Sequence, residues 1–177
     1  METNPEREKR TTLTVIVVSN ASPLISLAKI NRLELLRKLF TEIIIPPAVY
    51  EEVVVQGKNK PGSETINKVN WILTHRIESL SEVEALRKTY HLGQGEAEVI
   101  ILAEQLLADW LILDELPARK AALQREQKVI GTIGIILLAK DQGFIEQVKT
   151  ILDELINLGF HLSESTYAEV LIKAGEM

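Results

Sequence analysis

The sequence predicts an α/β protein, a three-layer α/β/α sandwich with a mainly parallel central sheet. Short β-branched apolar segments alternate along the chain with longer segments that have helical apolar spacing. The dipeptides that close tight β-hairpins (Asn-Gly, Asp-Gly and Gly-Gly) do not occur, which favours crossover connections and therefore parallel strands. With 177 residues, of which 46% are hydrophobic, the chain is long enough for one domain with its own core.

The first half of the chain begins with an almost continuously apolar, β-branched run over residues 13–18, which predicts a strand buried on both faces. Ser22 as an N-cap and Pro23 in the first turn predict a short helix that ends at Ile30. Asn31 is placed to cap the next helix. The other elements predicted here are a helix over 32–40, a strand over 42–45, a helix through residue 55 and a loop over 56–62.

In the second half, a weaker helix and a strand around 71–77 come first. Ser81 and Glu84 then have the spacing of a capping box, which predicts a helix to about Tyr90. A long helix from Glu96 to about Leu107 and a strand over 110–113 follow. The last predicted elements are helices at roughly 117–126, 133–142, 145–158 and 167–173, with a short strand at 128–130. We expect residues 1–12 to form a flexible segment and residues 13–177 a single domain that includes the C-terminal helices.

Composition excludes several classes of site. Cysteine is absent, so disulfides, thiolate metal sites and cysteine nucleophiles are excluded, and the three histidines lie too far apart in sequence to form a zinc-binding pair motif. The net charge of −5 argues against coating nucleic acid by bulk charge. The start of the chain does not read as a secretory signal and no apolar run reaches the ~20 residues of a membrane span, so we expect a cytoplasmic protein without a membrane partner.

Polar residues lie where ligands collect in an open parallel sheet, beyond the carboxyl ends of the strands. Asn20 follows the first predicted strand, and Asp114 and Glu115 follow the strand over 110–113. Further carboxylates near the same edge are provided by Glu51, Glu52, Glu96 and Glu98. Oxygen ligands without cysteine or histidine are those that Mg²⁺ or Mn²⁺ prefers. The constellation therefore predicts a divalent-metal site.

Each position also has a purely structural interpretation. Glu52, with Glu51, fits the solvated face of a helix, and Glu96 fits a first-turn carboxylate that interacts with the helix dipole. Asn20 fits a turn residue, and Asp114 fits a loop cap. The sequence leaves these interpretations open for each residue taken alone.

Five segments resemble the PIN-domain family in their order along the chain: VIVVSNASPLISLAKI, IIIPPAVYEEV, LGQGEAEVIILA, DWLILDELPARKAA and VIGTIGIILLAKDQGFI. The last is similar to a prokaryotic branch of the family related to the VapC-type ribonuclease toxins. The resemblance extends from about Val15 to the C-terminus. It implies a nuclease that cleaves RNA with Mg²⁺ or Mn²⁺ held by three or four carboxylates.

Transferred residue by residue, the resemblance implies a catalytic set made of Asn20, Glu52, Glu96 and Asp114. Asn20 stands where the family has an aspartate, and this is a departure from its pattern. Asp114 and Glu96 would be the main metal ligands, and Glu52 would bind a second metal or orient the water. Glu98 and Glu115 are alternative ligands beside them, and Ser22 matches the hydroxyl residue that supports the first position.

Binding partners are indicated less directly. Arg119 and Lys120, just after the Asp114 strand, are candidates for phosphate contacts in an RNA substrate, with Lys58 and Lys60 as a second pair. The resemblance further implies a homodimer and an antitoxin protein as possible partners. Because Asn20 removes a charge from the site, the competing hypothesis is a catalytically weakened PIN-fold module that binds RNA or a protein.

A neutral residue at position 20 should weaken metal binding, because an amide oxygen brings no charge to the cation. We expect Asn20→Asp to bind Mn²⁺ more tightly than the wild type, as measured by titration calorimetry on both forms. Equal or weaker affinity of the aspartate form would contradict this expectation.

Overall fold

The computed structural model describes residues 14–177, and these residues form a five-stranded central sheet with helices on both faces. The strands are β1 (Val17–Ser19), β2 (Ile43–Ile45), β3 (Ile72–Thr74), β4 (Trp110–Ile112) and β5 (Val129–Ile130). Their order is β3-β2-β1-β4-β5, and every pair is parallel. The predicted three-layer sandwich is therefore confirmed. The flexible segment predicted for residues 1–12 lies outside the described residues.

Ten helices connect and cover the strands within residues 14–177. They are α1 (Ala21–Lys29), α2 (Glu34–Phe40), α3 (Pro47–Tyr50), α4 (Ser63–Lys68), α5 (Leu80–Tyr90), α6 (Gln94–Gln105), α7 (Leu116–Gln124), α8 (Thr132–Asp141), α9 (Val148–Asn157) and α10 (Glu164–Lys173). Helix α3 continues directly into a π-helical turn over Glu51–Val55.

The two outer layers follow from which helices touch. Helix α6 contacts α3, α5 and α7, whereas α8 contacts α1, α2, α9 and α10. Helix α6 buries every residue from 97 to 103, and β1 is buried along its whole length, so neither shows an exposed face. Such all-round burial explains why these segments are almost continuously apolar in sequence. The core thus lies on both sides of β1 and β4.

Several predicted boundaries are wrong. Within the described residues the first strand covers Val17–Ser19, whereas a strand over 13–18 was predicted; the Ile16 N–H donates to the side-chain Oδ2 of Asp109 at 2.7 Å and not to a neighbouring strand. Ser22 is not an N-cap: α1 begins at Ala21 after Asn20, and the Ser22 hydroxyl instead donates to Glu115. A long-range partner has displaced the local capping bond in this case.

The caps predicted at two other helices are also wrong. Helix α2 begins at Glu34 with Leu33 before it, and Asn31 adopts a left-handed conformation with φ of 55°. Helix α5 begins at Leu80 after Ser79, so Ser81 lies inside the helix and makes no cap. Short polar side chains next to a helix start are common, and tertiary packing decides which of them begins it.

The π-helical turn ends at a close approach that requires glycine. A β-carbon at Gly57 would lie 2.2 Å from the carbonyl oxygen of Val53, a contact that backbone atoms cannot relieve without moving. The turn carries Glu51 and Glu52 at its start. Gly57 therefore allows the chain to close the wide turn that positions these two carboxylates.

No helix in the part of the chain from residue 14 onward is long and apolar enough to cross a membrane.

The C-terminal residues are fixed to the domain by Glu176. Its carboxylate accepts the N–H groups of Val148 at 2.6 Å and Lys149 at 2.8 Å, which are the first two residues of α9. Lys140 lies 3.3 Å from the same carboxylate. Burial acts to raise the pKa of Glu176, but the two backbone bonds and Lys140 outweigh it, so the pKa is lowered.

We expect Glu176→Gln to destabilise the protein by about 1 kcal/mol at neutral pH, because an anion at a helix N-terminus is lost. A lowered pKa in the folded state gives stability that is present above the unfolded-state pKa and disappears as the pH falls through the folded-state pKa. Thermal melts should therefore separate wild type and variant at pH 7 and bring them together in acid. Glu169→Gln, on the exposed side of α10, is the matched control. A difference that does not change with pH would contradict the assignment.

Candidate active site

The centre of the sheet is also the point at which the strand order reverses. The connections from β1 lead to β2 on one side and, after β3, to β4 on the other, so the carboxyl ends of β1 and β4 lie side by side. The backbone N–H of Asn20 donates to Ile112 O at 3.0 Å and extends this pairing by one residue. A crevice at such a switch point is the usual ligand site of open α/β sheets.

A cleft of about 540 Å³ opens there, which we call the acidic cleft. Its polar lining contains four carboxylates, and no lysine or arginine side chain takes part. The lining residues are Asn20, Ser22, Ala48, Glu51, Glu52, Gln56, Gly93, Gln94, Gly95, Glu96 and Glu115. The carboxylates come from three segments that are distant in sequence: the π-helical turn, the first turn of α6 and the connection from β4 to α7. Negative charge is thus concentrated in one cavity.

Glu115 is held in the acidic cleft by two donors from the start of α1. Asn20 Nδ2 donates to Glu115 Oε2 at 3.1 Å, and the Ser22 hydroxyl donates to Glu115 Oε1. Asn20 is only 4% exposed, so its amide is fixed by its surroundings. Gly95 leaves room beside it, since a β-carbon there would be 3.5 Å from Asn20 Oδ1 and 3.6 Å from Glu52 Oε2. The amide therefore binds Glu115 through nitrogen and directs its oxygen toward the side of Glu52.

The carboxyl of Glu52, which lies among the other carboxylates of the acidic cleft, has a raised pKa. Partial desolvation is the main cause that raises the pKa of its carboxyl, and the negative charges of Glu115 and Glu96 raise it further, while Lys60 lowers it. Glu52 accepts no hydrogen bond within residues 14–177. Its carboxylate is therefore a free ligand group in the acidic cleft.

Glu96 and Glu98, two residues apart on α6, have different positions. Glu96 accepts the N–H of Gly93 at 2.7 Å through one oxygen and lies at the edge of the acidic cleft. Glu98 is 6% exposed, and its two oxygens accept the Ala48 N–H at 2.9 Å and the Gln94 amide at 2.7 Å. Glu98 thus joins α6 to the start of α3 and does not line the cleft.

Asp114 faces away from the acidic cleft. Its two oxygens accept the backbone N–H of Thr132 at 2.7 Å and the Thr132 hydroxyl at 2.6 Å, which ties the end of β4 to the start of α8. Burial is the main cause that raises the pKa of Asp114. The hydrogen bonds from Thr132 lower this pKa, the negative charge of Glu115 raises it and the positive charge of Arg119 lowers it. The net result is a raised pKa for Asp114. Of these two neighbours, only Glu115 lines the acidic cleft, while both line the adjacent cavity.

The predicted site residues are thus divided by the structure. Five of them line one cavity: Asn20, Ser22, Glu52, Glu96 and Glu115. Asp114 and Arg119 line a separate groove, and Lys120 is exposed on α7. Gly95 and Thr132 were missed, although the glycine directly before a helical glutamate and the threonine at a predicted helix start were available signals.

The donor set of the acidic cleft suits a hard divalent cation, because all of its ligands are oxygens and its charge is unneutralised. Among residues 14–177, however, no three acidic or histidine side chains lie close enough together to hold a metal ion. The residues present fit such a cation in chemistry.

The molecule is thus an α/β/α sandwich with a carboxylate-lined cleft at the switch point of its sheet. A family model described as PIN domain matches residues 16–176. The chain therefore belongs to the PIN-domain family, whose members generally depend on divalent metals. No curated protein sequence matches the chain.

Removing one charge from the acidic cleft should stabilise the metal-free protein. A raised pKa in the folded state means that the carboxyl of Glu52 costs stability as the pH rises through that pKa. We expect Glu52→Gln to raise the melting temperature in EDTA by about 1–2 °C at pH 8, the shift that roughly 0.5 kcal/mol produces in a protein of this size. At pH 4 the gain should vanish. Glu169→Gln, at an exposed position on α10 outside the acidic cleft, is the control; equal gains in both variants would show that only net charge matters.

Proposed function

We propose that the protein is a divalent-metal-dependent endoribonuclease that acts at the acidic cleft. The observation that supports this is the arrangement of Glu52, Glu96 and Glu115 around one cavity at the switch point of a PIN fold, with no basic residue in its lining. Electrostatic repulsion among these carboxylates has no structural benefit, since none of them pairs with another side chain's positive charge in the cleft. A bound cation would offset it.

In this proposal, Glu52, Glu96 and Glu115 hold the metal, and Asn20 contributes its amide oxygen. Mg²⁺ or Mn²⁺ at this place would supply positive charge that stabilises the phosphodiester oxygens and would make the attacking water more acidic. Asn20 and Ser22 orient Glu115 by donating to both of its oxygens. Glu52, which forms no other bond, is the group free to bind the metal or to orient the water.

Asp114 acts indirectly in this arrangement. Its bonds to Thr132 fix the end of β4, and the adjacent residue Glu115 consequently projects into the acidic cleft. We therefore assign Asp114 a positioning role and Glu115 the role of ligand. This assignment differs from the one that the resemblance implies, in which Asp114 is a main ligand.

A second candidate function is a PIN-fold module that binds RNA or a protein without efficient cleavage. The amide at position 20 favours this second function, because Asn20 donates its side-chain N–H to Glu115 and brings no charge to the site. The resemblance to VapC-type toxins further supports the proposal of a cytoplasmic toxin that forms a homodimer and is held by an antitoxin. A small protein that is encoded beside the gene and co-purifies with this chain would support the toxin role.

The nuclease proposal is tested by incubating a mixed RNA pool with Mn²⁺ and following fragment formation. We expect the wild type to cleave and Glu115→Gln to lose about 100-fold in rate, because one charged ligand is neutralised in the site. Asp114→Asn should lose less, since it leaves the carboxylates of the acidic cleft intact.

The isosteric pair Glu115→Gln and Asp114→Asn is its own control, because both remove one charge from adjacent residues. Equal activity in wild type and Glu115→Gln would indicate a contaminating nuclease and contradict the proposal. RNA binding without cleavage in any metal would support the binding module instead. A larger loss in Asp114→Asn than in Glu115→Gln would return the ligand role to Asp114.

A further inference from the structure

The parallel ladder between β4 and β5 changes its bonding directly after β4. Continuing the register by one residue places Leu113 opposite Gly131, and the Leu113 N–H donates to Ile130 O at 3.0 Å as a regular ladder requires. The next regular bond would join the N–H of Thr132 to the carbonyl of Leu113. That N–H instead donates to the carboxylate of Asp114 at 2.7 Å. The carbonyl of Leu113, a fully buried residue, therefore needs a donor from outside the ladder.

Arg119, in the first turn of α7, supplies this donor. Its Nη1 donates to Leu113 O at 2.7 Å. The backbone N–H of the same residue donates to Glu115 O at 2.9 Å. One residue of α7 thus binds two carbonyls of the connection over residues 113–115, one through its side chain and one through its backbone. The guanidinium takes the place of the ladder bond that the carboxylate of Asp114 has removed.

The absence of a side chain at residue 131 makes this exchange possible. A β-carbon at Gly131 would lie 2.8 Å from Asp114 Oδ1 and 2.9 Å from Arg119 Nη1, and contacts this short force the neighbouring atoms to move. It would also lie 3.3 Å from Leu113 O. The φ of Gly131 is −105° and its ψ is 179°, an extended conformation that any residue adopts. Glycine is therefore needed here for space, because carboxylate, guanidinium and carbonyl converge where a side chain would be.

The other end of the same connection carries Glu115 into the acidic cleft. Its carboxylate accepts hydrogen bonds from Asn20 and Ser22 at the start of α1. Residues 113–115 are thus held from two sides, by Arg119 and Thr132 on the side of β5 and by α1 on the side of β1. Without the guanidinium, the buried carbonyl of residue 113 would recover a donor most directly by closing the ladder to residue 132. The connection would then rotate, and the carboxylate of Glu115 would move away from its donors on α1.

We propose that Arg119 is a positioning residue of the acidic cleft, whose bond to Leu113 O holds residues 113–115 in the conformation that directs Glu115 to its donors on α1. The inference rests on the proposed function, in which Glu115 is a metal ligand. Arg119 touches neither metal nor substrate in this role, which differs from the phosphate contact that the sequence suggested for it. Groups that orient a metal ligand typically contribute about 10- to 100-fold to metal affinity.

The test measures Mn²⁺ affinity by titration calorimetry, without RNA, in the wild type and in Arg119→Met. Methionine keeps an unbranched apolar side chain and removes the donor. We expect Mn²⁺ to bind about tenfold more weakly to the variant. Electrostatics alone predict the opposite sign, because removing a positive charge near a cation site favours cation binding. The direction of the change therefore separates a positioning role from an effect of charge.

Lys120→Met is the matched control, because it removes the same charge from the next residue of α7, whose side chain is exposed. Its Mn²⁺ affinity should be equal to that of the wild type or slightly higher. Gly131→Ala should weaken binding as Arg119→Met does, since its β-carbon displaces the guanidinium without altering residue 119. In a Glu115→Gln background, Arg119→Met should cause no further loss, because Arg119 acts through Glu115. Cooperative thermal melting shows that each variant is folded.

A second readout needs no metal. The side-chain amide resonances of Asn20 in NMR spectra report its bond to Glu115. In EDTA, they should shift in Arg119→Met and Gly131→Ala and stay in place in Lys120→Met. Unmoved resonances in the first two variants, or Mn²⁺ binding to Arg119→Met as tight as to the wild type, would overturn the inference. A wild type that neither binds Mn²⁺ nor cleaves RNA would refute the proposed function, and the Asn20 resonances would still decide the role of Arg119.

Discussion

The parallel pairing of β1 with β4 at the centre of the sheet is the constraint on which the site depends. It continues beyond the strands through the bond from Asn20 N–H to Ile112 O, so residues 20 and 115 are brought next to each other although 95 positions separate them. Both strands are almost wholly buried, and a slip of one residue would exchange the side chains that pack against the two helical layers. The core thus fixes the register, and the register fixes which polar side chains meet at the edge.

Negative charge at this edge of the sheet is concentrated in the acidic cleft. The chain has 25 acidic and 20 basic residues, and four of the acidic ones line a single cleft that contains no lysine or arginine. Asn20 moderates the crowding, since a neutral donor at this place binds Glu115 where a carboxylate would repel it. Desolvation, together with the charges of Glu115 and Glu96, raises the pKa of Glu52, and a divalent cation would offset this cost of holding the carboxylate ionised.

Much of the fold and part of the site could be predicted from the sequence. The order of strands and helices follows from apolar periodicity, which is a local property of each segment, and the absence of hairpin dipeptides indicated parallel strands. The helix starts at Ser22, Asn31 and Ser81 were predicted wrongly, because local capping signals compete with long-range bonds such as the one from Ser22 to Glu115. The carboxylates of the cleft were all among the sequence candidates.

The sequence by itself determined the class of fold, its family resemblance and the residue types available for chemistry, because these depend on local pattern. Only the tertiary structure decided which member of each close pair faces the cleft. Glu96 and Glu98 differ by about 200° around α6, so one reaches the cleft and the other the start of α3. Asp114 and Glu115 follow one strand, yet Thr132 binds the first and Asn20 the second. Such choices depend on partners from distant parts of the chain, which local sequence does not specify.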